Sequence, residues 1–231
     1  MVFIKGMHFS SMYSVLITGG SKGIGKASAE VFDNEGYEVC TPKRSELDLT
    51  SRESIFSFIK DNSDGFDVIV NNAGVNSINL IEGVSTSEME ETLMVNLIAP
   101  ILLVKGFVPM MKLKRTGRIV NIGSIWNVVS KPGRSIYSST KHGVHGLTTT
   151  WALELSKYNV LVNTVSPGFT LTDLTKKNNT QSELKKIEEK IPIGRLALPE
   201  EIAKIIFMLG SYSNTYITGQ NIVVDGGYSI Q

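Results

Sequence analysis

The chain has 231 residues, 42% hydrophobic and 19% charged, the balance of a folded globular protein rather than a disordered one. Its net charge of +1 offers no basic field for nucleic acid. The single cysteine, Cys40, excludes an internal disulfide framework and suits a reducing cytoplasm. Residues 1–12 read as a loose extension, because Lys5, His8 and serines interrupt their apolar stretch. No window offers the run of about 18 uncharged apolar residues that a membrane span needs.

From Tyr13 onward, short β-rich runs alternate with helical stretches. "YSVLIT" (13–18) reads as a strand, "TGGSKGIG" (18–25) as a turn and "GKASAEVFDNEG" (25–36) as a helix. Further strands are predicted at 37–41, 66–70, 117–122, 160–166 and 221–225, with helices at 51–61, 87–112, 136–157 and 200–210. This alternation predicts βαβ units and a parallel sheet over 13–231 as a single domain. Nearly continuous apolar strands such as "VIV" and "IVVD" suit a sheet covered on both faces. Residues 171–195 are polar and lysine-rich, and read as a solvated amphipathic helix or as a lid over a substrate pocket.

The glycine cluster sits where a strand gives way to a helix, the junction a phosphate group needs. Glycines let the backbone approach an anion, and the helix N-terminus supplies free N–H groups. No Gly-Lys-Ser/Thr follows, so the turn is not a P-loop; it predicts dinucleotide binding. In "SIYSSTKHGVHG" (135–146), Tyr137 and Lys141 lie one helical turn apart on the same face. A phenol with a pKa of about 10 is a poor proton shuttle at neutral pH. A neighbouring ammonium would lower that pKa toward the working range.

Several motifs occur in order: Thr18 before Gly19-x-x-x-Gly23-x-Gly25, "NNAG" (71–74), Asn96 in "MVNLIAP" and Ser124 in "IVNIGSI". Tyr137-x-x-x-Lys141, "SPGFTLTD" and "ITGQNIVVDGGYS" follow. In these the chain resembles the short-chain dehydrogenase/reductase family over 14–229, and is similar to both 3-oxoacyl-(acyl carrier protein) reductases and sugar or polyol dehydrogenases. The resemblance implies an α/β fold of Rossmann type, a doubly wound parallel sheet in three α/β/α layers. It also implies an NAD(P)(H)-dependent oxidoreductase that moves a hydride between nicotinamide and a carbonyl or secondary alcohol.

By the same resemblance, Tyr137 is the acid/base, Lys141 also holds the nicotinamide ribose, Ser124 binds the substrate carbonyl and Asn96 holds a relay water. Gly19, Ser21, Lys22, Gly23, Ile24 and Gly25 would bind the cofactor from the turn. Asn72, Ala73 and Gly74 would line its adenosine ribose, Asp48 and Leu49 its adenine, and Pro167, Gly168 and Thr170 its nicotinamide. Trp126 would edge the substrate pocket or pack in the core. No metal is implied, and His8, His142 and His145 show no ligand spacing.

The second strand runs into Lys43 and Arg44 rather than an acid, and Lys22 adds charge in the turn. This favours NADP(H), with NAD(H) as the alternative. The run from Arg44 to "LDLT" is too short for the helix the family places there. Lys131 and Arg134 read as solvated loop charges or as contacts to an acidic substrate. Two other functions are open to such a chain. A catalytically silent nucleotide-binding regulator would share the fold, and an extended epimerase or dehydratase would need a further substrate domain. The expected partners are a small carbonyl or alcohol substrate and further copies of the chain, as a homotetramer or homodimer built on helices 87–112 and 136–157.

Overall fold

Six strands form one parallel sheet in a computed structural model that describes residues 13–173, 175 and 179–231. The expected extension at 1–12, and residues 174 and 176–178 of the expected lid, lie outside the described residues. The strands are β1 (Ser14–Ile17), β2 (Glu38–Cys40), β3 (Val68–Asn71), β4 (Gly117–Ile122), β5 (Val160–Pro167) and β6 (Asn221–Val224). They lie in the order β2-β1-β3-β4-β5-β6, and every neighbouring pair is parallel. The order reverses between β1 and β3, which opens a crevice at the carboxyl ends of those strands.

Parallel strands need crossovers, and helices supply them. These are α1 (Gly23–Asn34), α2 (Arg52–Asp61), α3 (Thr86–Leu93), α4 (Ala99–Lys114), α5 (Ser135–Leu155), α6 (Gln181–Glu188) and α7 (Pro199–Gly210). Alternate strand residues face opposite ways, so each strand feeds two cores. Val15, Ile17, Val68 and Val70 pack with Phe32 of α1 and Ile202 and Ile206 of α7. Leu16, Ile69 and Ile119 pack with Ile55 of α2, Leu103 and Phe107 of α4 and Leu155 of α5. Each such side chain contributes about 1.5–3 kcal/mol by leaving water, which is why these strands are apolar at consecutive positions.

Two local features shape the site. After β2, residues 44–48 make a turn rather than a helix: Glu46 and Leu47 both donate to the Lys43 carbonyl at 2.9 Å. The family helix expected to be missing there is absent, and the three-residue β2 ends the sheet. The helix predicted at 87–112 forms, but a π turn at Met94–Ile98 joins α3 to α4 and carries Asn96. By length and composition alone the run Thr86–Lys114 could cross a membrane. One side of it packs into the core, burying Leu103, Val104, Phe107 and Met111.

Candidate active site

At the carboxyl end of β1, Gly19 takes φ +67° and Gly23 φ +55°, and the chain turns into α1. Thr18 latches this turn to the next strand: its hydroxyl accepts from the backbone N–H of Asn72 and of Ala73, each at 3.1 Å. The Asn72 amide donates to the carbonyls of Thr18 (2.9 Å) and Gly19 (3.2 Å). A Cβ on Gly25 would strike Asn72 Nδ2 and the Gly19 carbonyl oxygen, so only glycine fits. No side chain caps the α1 N-terminus and its first turn holds no acid. Its first N–H groups are thus free for an anion, in a cradle shaped for a pyrophosphate.

The other end of the crevice lies at β4 and α5. Ser124 follows β4 and caps a 3₁₀ turn, its hydroxyl accepting from Trp126 N–H at 3.3 Å. Tyr137 stands in the first turn of α5, with Lys141 one turn on. Lys141 is 3% exposed, and its ammonium donates to the Ile122 carbonyl at 2.6 Å and lies 5.5 Å from the Tyr137 ring centroid. Burial lowers its pKa to about 8. Burial also raises the Tyr137 pKa, against opposing effects of the neighbouring Ser124 hydroxyl and the Arg134 guanidinium. In this structure, then, the ammonium is moored to the end of β4 and does not bring the phenol below its ordinary range.

Asn96 sits behind this pair. Its Oδ1 accepts from Val75 N–H at 2.8 Å, and its Nδ2 donates to the Val75 carbonyl (2.9 Å) and to Thr140 Oγ1 (3.2 Å). A Cβ built on Gly74 would stand 3.4 Å from Asn96 Oδ1 and 3.8 Å from Lys141 Nζ, so the asparagine and lysine converge on this glycine. The π turn sets that placement by aiming Asn96 inward, 2% exposed.

A cleft of about 910 Å³ joins both ends. Every residue expected to bind the cofactor lines it: Gly19, Ser21 to Gly25, Lys43, Arg44, Asp48, Leu49, Asn72 to Gly74, Pro167, Gly168 and Thr170, with Tyr137 and Lys141. Ser124 and Trp126 line it too, whereas Asn96 does not and lies behind Gly74. Arg44 pairs with Asp48 at 3.2 Å. The Asp48 pKa is lowered, first by hydrogen bonds from Thr50 and then by Arg44. The latch made by Thr18 went unread in the sequence, and Arg134, read there as a solvated loop charge or a contact to an acidic substrate, is no solvated charge: it is buried, 8% exposed, beside Tyr137. Thr18 signals itself only through the reach of its hydroxyl, and Arg134 only as a cation three residues before a tyrosine. Among the described residues no group of three or more His, Cys, Asp or Glu could hold a metal ion.

A sheet with its crevice at the reversal of strand order, and a glycine turn there opening a helix, defines a dinucleotide-binding protein of Rossmann type. A family model described as enoyl-(acyl carrier protein) reductase matches residues 45–229. The chain is 36% identical over 233 residues to the 3-oxoacyl-(acyl-carrier-protein) reductase of Vibrio cholerae, covering 92% of this chain and 95% of that one. The corresponding enzyme of Aquifex aeolicus is 38% identical over 237 residues, again at 92% and 95% coverage. The chain belongs to the short-chain dehydrogenase/reductase family.

Solved structures agree. A short chain dehydrogenase/reductase family protein matches with a TM-score of 0.86 and 30% identity over 94% of this chain and 98% of that one. A structure described as an NAD(P)-dependent gluconate 5-dehydrogenase of Beutenbergia cavernae, with bound NADP, gives a TM-score of 0.86 at 28% identity, covering 95% and 97%.

Proposed function

We propose that the chain is an NADPH-dependent reductase of secondary carbonyls of the 3-oxoacyl or keto-sugar type, working through Tyr137. One observation carries this reading: Ser124, Tyr137 and Lys141 share one end of a cleft whose other end is the uncapped N-terminus of α1. The similarity to 3-oxoacyl-(acyl-carrier-protein) reductases supports carbonyl chemistry, and the NADP in one similar structure supports the cofactor. Lys22, Lys43 and Arg44 line the cleft without an acid immediately after β2, which suits a 2′-phosphate.

Bound NADPH supplies the hydride. Ser124 donates a hydrogen bond to the carbonyl oxygen and orients it. Tyr137 gives its proton to that oxygen as negative charge develops, so that the product is the alcohol and the tyrosine is left as phenolate. The Lys141 ammonium would hold the nicotinamide ribose, and its charge, 5.5 Å from the ring centroid, would oppose the cost of forming that phenolate. Asn96 fixes the Val75 backbone and Thr140 behind the lysine, so the relay side of the site is held rigid. A single cysteine and near-neutral charge fit a cytoplasmic protein.

Loss of the NADPH absorbance band, followed with an acetoacetyl thioester, a neutral keto-sugar and an enoyl thioester, tests the reading. Oxidation of NADPH with either carbonyl compound is expected, and Tyr137→Phe lowers kcat by about 10²–10⁴-fold while NADPH still binds. Turnover of the enoyl thioester alone would replace carbonyl reduction by double-bond reduction. NADPH binding without turnover of any substrate would mark a silent regulator.

A further inference from the structure

Arg134 has no part in the chemistry above, yet the fold holds its guanidinium beside the reacting tyrosine. It is the N-cap residue of α5, is 8% exposed and lines the cleft. Its Nη1 donates to Asn76 Oδ1 at 2.6 Å, while Nε is buried without a partner. Its guanidinium carbon lies 5.6 Å from the Trp126 ring centroid, and Lys131 Nζ stands at the same 5.6 Å from that ring. Among the described residues neither cation forms an ion pair. Lys131 is exposed, and the charges facing it are Arg134 and Lys190; the ionisable group facing Arg134 is the Tyr137 phenol. Among the described residues no carboxylate pairs with either group.

Keeping a guanidinium buried without a counter-charge is costly, and the cost is recovered when an anion arrives. Asn76 holds one arm of the guanidinium fork at Nη1, and Nη2, which makes no hydrogen bond among the described residues, is the arm left for a carboxylate in the cleft. The Trp126 ring, 5.6 Å from the guanidinium carbon, flanks that fork. We propose that Arg134, assisted by Lys131, binds an anionic group of the substrate, so that the compound reduced is a carboxylated ketone, a keto-sugar acid, rather than a neutral keto-sugar or thioester. The inference rests on the reading of Tyr137 as the proton donor, because Arg134 then places the anion and the carbonyl in one small molecule.

Fructose, fructuronate and fructose 6-phosphate share a skeleton and differ in charge, and they serve as probes beside a neutral acetoacetyl thioester of N-acetylcysteamine. The wild-type protein with NADPH is expected to favour fructuronate over fructose by about tenfold or more in kcat/KM. Arg134→Gln should shrink that ratio by about tenfold, mostly through KM, with smaller losses in Arg134→Lys and Lys131→Ala. Equal kcat/KM for fructuronate and fructose in the wild type would overturn the proposal. So would an Arg134→Gln variant that loses both substrates alike, which marks packing alone. A preference for fructose 6-phosphate would overturn the carboxylate and transfer the fork to a phosphate ester. Should Arg134→Gln fail to fold, the wild-type ratio and Lys131→Ala decide. Should none of the probes turn over, calorimetric titration of the NADP⁺-loaded protein with fructuronate and with fructose decides: equal or absent binding rejects the anion site. Activity retained in Tyr137→Phe would instead refute the tyrosine's role while leaving the charge preference measurable.

Discussion

Tyr137 and Lys141 share one face of α5, and burial drives both toward their neutral forms. The phenol is raised above its ordinary pKa and the ammonium is lowered to about 8. The lysine is therefore charged below about pH 8 and neutral above it. Any step that needs the ammonium is present at neutral pH and lost as pH rises through that value. Initial rates across the alkaline range should show kcat/KM for NADPH, which reports the free enzyme, falling above about pH 8. A flat profile up to the ordinary lysine range would show that Lys141 keeps its proton. The spacing of the pair is legible in the sequence because a helix has a fixed period. That Lys141 is tied to the Ile122 carbonyl is not, since that contact depends on where α5 docks against β4. The same limit left Arg134 open between a solvated loop charge and a substrate contact, since its burial is set by Trp126 and Asn76 rather than by its neighbours in the chain.

The strand–turn–helix unit at 14–34 and the loop after β2 form the cofactor end of the cleft. All six strands and every helix but α6, which falls in the stretch read as a helix or a lid, could be placed from the run of the sequence, most plainly where strands buried on both faces leave an unbroken apolar signal. The π turn at Met94–Ile98 could not, as it inserts one residue into a pattern that still reads as helix. The loop after β2 is legible in length but not in direction. The structure places Lys43 and Arg44 in the cleft wall, with Arg44 tethered to Asp48. Hydrogen bonds to a charged phosphate are worth about 1.5–3 kcal/mol, or roughly 10–100-fold in affinity. Replacing Lys43 and Arg44 together by alanine should raise KM for NADPH within that range and leave KM for NADH little changed. Parallel rises for both cofactors would remove these residues from phosphate recognition and point to a loss of local structure.

At the scale of the whole molecule, the two cores account for the sheet but leave apolar side chains of α4 and α5 uncovered. Only 39% of the most apolar window of the Thr86–Lys114 helix is buried within the chain. Leu113 of α4 is 75% exposed and Leu153 of α5 is 82% exposed, while Leu102, Val108 and Trp151 on the same two helices are only partly covered. With a net charge of +1, little long-range repulsion keeps copies apart. Further copies packed on α4 and α5 would cover this face, as expected for a homodimer or homotetramer. Burying one leucine contributes about 1.5–3 kcal/mol, and a carboxylate in its place adds a desolvation cost. Leu153→Asp should therefore weaken self-association by roughly 10–100-fold or more. Because Leu153 touches neither core, the variant's circular dichroism should match the wild type. Sedimentation of both proteins at matched concentrations is the measurement. A wild-type monomer, or a Leu153→Asp variant of unchanged size, would separate this apolar face from assembly and place the subunit contact elsewhere on the surface.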